Sequence, residues 1–252
     1  MKKKFIFLFA TFILFVLAFK VGLFAQLTTN GAPPYVVEDL NPPDINEYAW
    51  LDNWKRPDGP PKVGLQAGHW KNGEIPEELL RLSGSTGASG GGKSEWEVNL
   101  KIAEYTKKLL EEKGITVEII PATVPAEFWA DVFVSIHADG SIDTGTSGFK
   151  AASPRRDFSG KAQKLVSVIE ENYAAATNLE LDPNVTRNMR GYYAFAWWRY
   201  KHAVHPKTPA VILETGFLTN PSDRNLLVNR TDTVAMGLAS GIISFLQSEK
   251  LL

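Results

Sequence analysis

Short apolar runs alternate with amphipathic segments over most of this 252-residue chain. Each run is four to six residues long and rich in Val, Ile and Leu, as expected of strands that are covered on both faces. Such runs predict strands over residues 62–66, 115–120, 131–136 and 210–213, with an edge strand over 148–152. The pattern therefore predicts a buried central sheet.

Apolar residues that recur every three or four positions mark the segments between these strands as helices. Helices are predicted over residues 95–113, 160–177, 222–228 and 232–247. Ser159 and Thr231 are the expected caps of the second and the last helix. The alternation indicates an α/β fold: a single domain with a twisted, mostly parallel central sheet of about five or six strands, flanked by helices on both faces.

The first 25 residues follow a different pattern. Three lysines come directly after Met1, and residues 5–19 are apolar except for one threonine. A basic start followed by such a run is typical of an export signal, and the length up to residue 25 also allows a membrane span. We therefore predict a signal peptide or an N-terminal membrane anchor, with a slight preference for the anchor. Either one places the rest of the chain outside the cytoplasm, in the cell envelope.

Residues 26–61 contain three Pro-Pro pairs, which disfavour helices and central strands. This segment is predicted to be an extracytoplasmic linker, which leaves residues 62–252 as the folded domain. Three aromatic residues of the linker, Tyr48, Trp50 and Trp54, are expected to pack back on that domain.

Composition excludes several kinds of site. Apolar residues make up 44% and charged residues 22%, which is ordinary for a globular protein. The absence of cysteine excludes disulfides, zinc–thiolate sites and a thiol nucleophile. The net charge of −1 carries no basic footprint for nucleic acid, so no nucleic-acid partner is expected.

Polar residues stand where three predicted strands end. His69 follows the first strand, His137 follows the strand over 131–136, and Glu214 follows the strand over 210–213. The carboxyl ends of parallel strands meet at one edge of a sheet, where ligands usually bind. A helix that follows a strand also begins at this edge. Taken alone, each residue has an ordinary structural explanation, such as a hydrogen bond or a helix cap.

The helix that begins at this edge starts with two acids, Glu95 and Glu97. Ser94 and Glu97 fit a capping box, in which the glutamate accepts a hydrogen bond from the serine amide. Glu97 then has a structural role, so Glu95 is the candidate ligand. Two imidazoles and one carboxylate form a known catalytic zinc set, and a second carboxylate is then free to act as general base.

Residues 87–94 allow a rival interpretation, because they fit the G-x-x-x-x-G-K-[ST] pattern of phosphate-binding loops. Such a loop directly follows a buried strand, whereas the segment over 75–83 has a helical pattern. An exported protein also lacks ATP. We therefore expect no nucleotide partner, and a flexible connection beside the metal site instead.

Four motifs give the chain, from about residue 62 to residue 246, its resemblance to the zinc-dependent N-acetylmuramoyl-L-alanine amidases of the amidase family 3 type. These enzymes trim bacterial peptidoglycan. The two later motifs are long and specific. The motifs are VGLQAGH at 63–69, E-x-x-x-N-L at 95–100, ADVFVSIHA at 130–138 and PAVILETGFLTN at 209–220.

The resemblance implies that one zinc ion is held by His69, Glu95 and His137, with Glu214 as the catalytic acid/base. It makes residues 62–252 an amidase catalytic domain that cleaves the amide between the lactyl group of N-acetylmuramic acid and L-alanine. Peptidoglycan is the implied partner, with a regulatory protein partner as a further expectation and membrane contact through the N-terminal segment only. Gln66-Ala67 departs from the family pattern, which leaves the shape of the substrate groove open.

Four arginines and one asparagine are the candidates for substrate contact. Stem peptides carry several carboxylates, which guanidinium groups bind well, although solvated surface charge explains the arginines equally simply. The candidates are Arg155, Arg156, Arg187, Arg190 and Asn220. His202 and His205 are expected to have surface or groove roles.

Two other functions remain open on the residues alone. One is a different exported zinc peptidase that cuts within the stem peptide. The other is a catalytically silent wall-binding regulator.

Overall fold

The computed structural model describes residues 45–252. The signal peptide or anchor predicted over 1–25 and the linker residues 26–44 lie outside this range, so both stay predictions. Within the described range, no helix is both long and apolar enough to cross a membrane.

A five-stranded sheet forms the centre of the domain, in the order β4-β1-β5-β7-β6. Neighbouring strands are parallel except for β6, which runs antiparallel to β7 at the edge. A separate hairpin pairs β2 with β3. The predicted mostly parallel sheet and its edge strand are confirmed. The strands are β1 (Lys62–Ala67), β2 (Ser89–Gly90), β3 (Lys93–Ser94), β4 (Thr116–Ile120), β5 (Val132–Asp139), β6 (Lys150–Ala152) and β7 (Ala210–Phe217).

The helices fall into long and short ones. The α-helices are α1 (Glu95–Glu111), α2 (Ala162–Thr177), α3 (Arg187–Arg190), α4 (Pro221–Asn229) and α5 (Thr231–Ser248). Short 3₁₀ helices lie at Ile45–Asp52, Glu77–Leu82 and Tyr193–Phe195. Each helix predicted from the sequence is present.

The two faces of the sheet are covered differently. The long helices α1 and α2 both pack against α5, and all three share one apolar core with strand residues such as Leu65 and Val134. The second core contains Phe133 and Ile212 from the sheet, packed against the two later 3₁₀ helices and the aromatic segment that follows Tyr193–Phe195. The second face is therefore closed by short helices and aromatic loops.

Two predicted caps are wrong. Helix α2 begins after Lys161, and its first amide, that of Ala162, donates to Asp157 Oδ2 at 2.8 Å instead of to Ser159. Helix α5 includes Thr231, whose hydroxyl donates to Leu227 O at 2.9 Å in the preceding helix. In both cases a tertiary or turn hydrogen bond replaces the local cap.

The capping box at the start of α1 is confirmed. Glu97 Oε2 accepts a hydrogen bond from the Ser94 amide at 3.0 Å, and the reciprocal half of the box is also formed. This leaves Glu95, in the first turn, to face the end of the sheet.

Two central strands are longer than predicted at their carboxyl ends. β5 runs to Asp139 and β7 runs to Phe217, so His137 and Glu214 lie inside the strands rather than after them. The apolar sequence pattern ends before the strands do, because His137 and Glu214 are polar residues that still pair within the sheet.

The part of the predicted linker that the structure describes contacts the domain. Tyr48 packs on Trp197, with ring centroids 4.8 Å apart, and Trp54 lies 5.0 Å from the His205 ring. Trp50 also contacts Trp197 and His205. The expectation that these three aromatic residues pack back is confirmed.

Asp131 connects the same segment to the start of the sheet. Its carboxylate accepts two hydrogen bonds from Arg56, at 2.6 and 2.8 Å, and one from the amide of Lys62 at 2.9 Å. Bidentate pairs of this kind have well-defined geometry. The chain therefore enters β1 from a defined position.

Replacing Tyr173 with Phe is expected to lower the free energy of unfolding by about 1–3 kcal/mol, the usual cost of leaving a buried acceptor unpaired. The buried Tyr173 hydroxyl donates to Thr215 O at 2.7 Å, in the strand that carries Glu214. Urea unfolding measures the change. Tyr105→Phe is the control, because Tyr105 is exposed, and an equal loss in both variants would contradict the assignment.

Candidate active site

The register of the sheet brings the predicted residues to one edge. His137 on β5 is the register partner of Glu214 on β7. Gly68, just past the end of β1, donates its amide to Ile136 O at 2.9 Å, which places His69 beside them. Helix α1 begins at the same edge with Glu95. The predicted convergence of these side chains is thus seen in the structure.

Three of these side chains form a compact cluster of metal-binding type. One donor atom from each of His69, Glu95 and His137 lies within 4.8 Å of the other two. Glu95 Oε1 is 2.9 Å from His137 Nδ1 and 3.5 Å from His69 Nε2. These are the three residues predicted as ligands, and Glu97 is not among them.

The surroundings of the cluster fit a bound cation. His137 Nε2 is buried and finds no hydrogen-bond partner within residues 45–252. Glu95 accepts from the amides of Ala88, at 2.6 Å, and Ala138, at 3.2 Å, and from Asn99 Nδ2 at 3.3 Å. Such outer contacts orient metal ligands in proteins. The cluster therefore offers an oriented carboxylate and an unused buried imidazole nitrogen.

The charges of the cluster are also suited to a cation. Burial acts to raise the pKa of Glu95, but the hydrogen bond from His137 and the charges of both histidines outweigh it and bring the pKa to about 2. Burial lowers the pKa of His69, which favours the neutral imidazole that binds metals. The pKa of His137 is raised despite burial, because it pairs with Glu95, so a cation that binds there has to displace the His137 proton.

Glu214 has the opposite environment. Burial is the main cause that raises its pKa, and the negative charges of Glu95 and Asp139 add to it, while His137 and Lys150 act against it. The pKa reaches about 8. A carboxyl group that titrates near neutral pH is suited to general acid/base work.

The turn after β1 is shaped by close contacts. His69 has φ of 63°, a left-handed conformation that is uncommon for residues other than glycine and that occurs at functional sites. A Cβ on Gly68 would lie 2.5–2.7 Å from ring atoms of His137. Only glycine at position 68 therefore lets His137 sit against this turn.

The glycine-rich loop, residues 84–93, packs against the cluster. Gly87 has φ of 73°, and a Cβ there would lie 2.7 Å from His69 Cδ2 and also touch Glu95. The next amide, that of Ala88, donates to Glu95, whereas in a phosphate-binding loop such an amide points at the phosphate group. The segment before the loop is the 3₁₀ helix Glu77–Leu82, and no strand leads into Gly87. The phosphate-loop interpretation is therefore wrong.

A buried glutamine network beside the cluster was missed in the sequence. Gln66 Oε1 accepts from Ser135 Oγ at 2.7 Å and from Tyr192 Oη at 3.0 Å, and its Nε2 donates to Ala122 O at 2.8 Å. The Tyr192 ring is 5.7 Å from the His137 ring. These contacts join segments 126 positions apart, so no local pattern reveals them.

Lys150 was also missed. It is the register partner of Glu214 on the edge strand, and it is buried between Asp139 Oδ2 and Asp182 Oδ2, each 2.8 Å from its ammonium. Burial acts to lower its pKa, but the two carboxylates raise it, so it stays charged. A single lysine in an edge strand gives no sequence signal of this role.

The candidate substrate residues separate into two places. The four arginines line one open pocket together with Tyr192 and Trp198. Asn220 instead caps α4: its Oδ1 accepts from the amides of Ser222 and Asp223, and its Nδ2 donates to Thr144 O at 3.0 Å. Substrate contact by Asn220 stays a prediction, beside this structural role.

His202 and His205 lie outside the metal cluster. His202 Nδ1 is 2.8 Å from Glu78 Oε1 at the surface, and His205 packs among Trp50 and Trp54. His202 thus lies at the surface, His205 is half-buried in an aromatic cluster, and a groove role for either stays a prediction.

The site has two imidazoles and a carboxylate at the end of a mostly parallel sheet, with a second carboxyl group beside them. This arrangement is typical of metal-dependent hydrolases. The family model described as N-acetylmuramoyl-L-alanine amidase matches residues 63–244 of this chain. The chain belongs to this amidase family, as the motifs indicated.

Two curated amidases are similar in sequence. LytC of Bacillus subtilis (strain 168) is 28% identical over 173 residues, which cover 64% of this chain and 33% of LytC. AmiA of Escherichia coli (strain K12) is 25% identical over 272 residues, covering 90% of this chain and 89% of AmiA. The chain thus spans about a third of the length of LytC and most of that of AmiA.

A solved structure supports the fold. CwlD amidase from Clostridioides difficile, in complex with the GerS lipoprotein, matches with a TM-score of 0.52 and 20% identity. The match covers 75% of this chain and 99% of CwlD. The α/β architecture described above is therefore that of amidase catalytic domains.

Replacing Gly68 with Ala is expected to lower the affinity for zinc, used as the probe metal, by about 10–100-fold, the usual effect of disturbing groups that orient a ligand. The new Cβ would displace the His137 ring. Calorimetric titration of metal-free protein measures the affinity. Gly73→Ala is the matched control, since a Cβ there meets nothing within 4 Å; equal affinity in both variants would contradict the role of Gly68.

Replacing Glu214 with Gln is expected to stabilise the metal-free protein at pH 8.5 more than at pH 5. The folded-state pKa of Glu214 is raised from 4.5 to about 8. The stability that this shift contributes is therefore fully present below pH 4.5 and is lost as the pH rises through 8. Glutamine stays neutral, so the variant escapes this loss of about 1.4 kcal/mol per pKa unit.

Urea unfolding of chelator-treated protein at the two pH values measures the difference. Glu104→Gln, on the exposed side of α1, controls for loss of one negative charge. A gain for Glu214→Gln that does not change with pH would show that the carboxyl group is not perturbed.

Proposed function

We propose that this protein hydrolyses the amide bond between the lactyl group of N-acetylmuramic acid and L-alanine of the stem peptide in peptidoglycan. The carrying observation is the register pairing of Glu214 with His137, which sets one raised-pKa carboxyl group beside the three-donor cluster. Membership of the amidase family supports the choice of bond.

The proposed cofactor is one zinc ion, held by His69, Glu95 and His137. Two neutral imidazoles and one carboxylate suit zinc and leave a fourth position open. When bound, zinc lowers the pKa of its water and polarises the substrate carbonyl. Glu95 and His137 are both buried, so their attraction to a bound cation is weakened little by water.

Glu214 is proposed to move the proton. It accepts a proton from the attacking water and donates it to the alanine nitrogen as the amide bond breaks. Its pKa is raised to about 8 in the metal-free protein, and the positive charge of a bound zinc ion would lower it toward neutral, where both protonation states are accessible. The ammonium of Lys150, held by Asp139 and Asp182, limits the rise in the pKa of Glu214.

The location and partners follow from the substrate. Peptidoglycan lies outside the cytoplasmic membrane, so we propose that the chain acts in the cell envelope, anchored or secreted through residues 1–25. The complex of CwlD with the GerS lipoprotein supports including a protein partner in the proposal.

The test is digestion of purified peptidoglycan, with mass spectrometry of the products and metal analysis of the protein. We expect intact stem peptides with a free L-alanine amine, and one zinc per chain. Glu214→Gln should keep the zinc and lose at least about 100-fold in rate, the scale of general acid/base catalysis. His137→Ala should lose the zinc as well.

Other products would change the conclusion. Cuts within the stem peptide would make the protein a peptidase. Full zinc occupancy without any product would make it a binding module, and wild-type rates in Glu214→Gln would remove the proposed proton carrier.

A further inference from the structure

Four arginines share a pocket next to the metal cluster. We propose that this pocket binds a carboxylate of the stem peptide while the neighbouring amide bond is cut. The inference rests on the function proposed above and assigns the peptide side of the substrate to one surface of the protein. The arginines are Arg155, Arg156, Arg187 and Arg190.

The pocket is built from two chain segments that hold each other. Arg155 and Arg156 lie in the loop after β6, whereas Arg187 and Arg190 belong to α3. The amide of Arg155 donates to Arg190 O at 2.9 Å, which joins the two segments. Arg156 lies 5.2 Å over the Trp198 ring. The guanidinium groups are thus presented from a defined frame.

Helix α3 is itself anchored, although it has only one turn. Thr186 Oγ1 accepts from the Met189 amide at 3.2 Å, and the Met189 side chain is buried in the second core. Arg187 and Arg190, on either side of Met189, are exposed. The buried Met189 thus fixes the backbone from which Arg187 and Arg190 project toward solvent.

Tyr192 links the pocket to the cluster. It lines the pocket, its ring is 5.7 Å from the ring of His137, and its hydroxyl donates to the buried Gln66. Tyr192 therefore borders both the pocket and the cluster. We accordingly assign to the pocket a carboxylate near the amino end of the stem peptide, close to the bond that is cut.

The charge of the pocket selects the peptide over the glycan. Apart from the arginines, its lining within residues 45–252 is apolar or aromatic, whereas the whole chain has a net charge of −1. The sugar backbone offers hydroxyl and acetamido groups, whereas stem peptides carry carboxylates. Guanidinium groups bind carboxylates through paired, charge-assisted hydrogen bonds.

The experiment compares two small substrates: N-acetylmuramoyl-L-alanyl-D-glutamate with free carboxyl groups, and its diamide. We expect the zinc-loaded wild-type protein to cleave the free acid with a kcat/KM about tenfold higher or more, mainly through KM. The double variant Arg187→Gln/Arg190→Gln should lose most of this preference, because its kcat/KM falls far more on the free acid than on the diamide.

Controls separate this role from a structural one. Arg230→Gln removes an exposed arginine at the start of α5 and should keep the wild-type preference. Zinc content should match in all proteins. The two single variants, each expected to show part of the loss, replace the double variant if that protein does not fold.

Two outcomes overturn the inference separately from the function. If the wild type cleaves the diamide as well as the free acid, the amidase activity stands and the pocket does not read the carboxylate. The same holds if the variant loses activity equally on both substrates. If the wild type cleaves neither substrate nor peptidoglycan, the proposed function fails and the inference fails with it.

Discussion

The negative charge of Glu95 has been almost removed from water, and the site is arranged to compensate it. Glu95 is 3% exposed, and its oxygens meet His137 and the amides of Ala88 and Ala138. A buried carboxylate without such partners is strongly destabilising. One side chain therefore joins the start of α1, the glycine-rich loop and the end of β5 into a single frame.

The sheet register then sets a second carboxyl group against the first. Glu95 is held ionised, with a pKa of about 2, whereas Glu214 is held toward its neutral form, with a pKa of about 8. Pairs of acids whose environments separate their pKa values in this way usually divide the chemical work between them. In the proposed function, Glu95 holds the cation and Glu214 moves the proton, and His137 contacts Glu95 and pairs in register with Glu214.

Local patterns predicted most of this arrangement. The strand–helix alternation, the capping box at Ser94 and the polar ends of β1, β5 and β7 all follow from spacing along the chain, and the capping box correctly separated Glu95 from Glu97. Each of these signals involves residues that are close in sequence, for which helix and strand periodicity is informative.

The features that the sequence did not reveal are long-range. Lys150 is charged and buried only because Asp139 and Asp182 reach it from other segments. Tyr192 becomes part of the site through Gln66, which is distant in sequence. In both cases tertiary contacts decided what the local pattern left open. The failed cap at Ser159 is a local exception, because Asp157, two residues earlier, accepts the Ala162 amide instead.

The pairing of Arg56 with Asp131 has a mechanical consequence. These bonds lie at the amino end of β1, whereas His69 follows its carboxyl end, about 20 Å away for a six-residue strand. Tension on the chain ahead of residue 45 would thus be carried by the aromatic contacts and the Asp131 bonds. The far edge of the sheet, with its cluster of histidines and acids, is shielded from such a load.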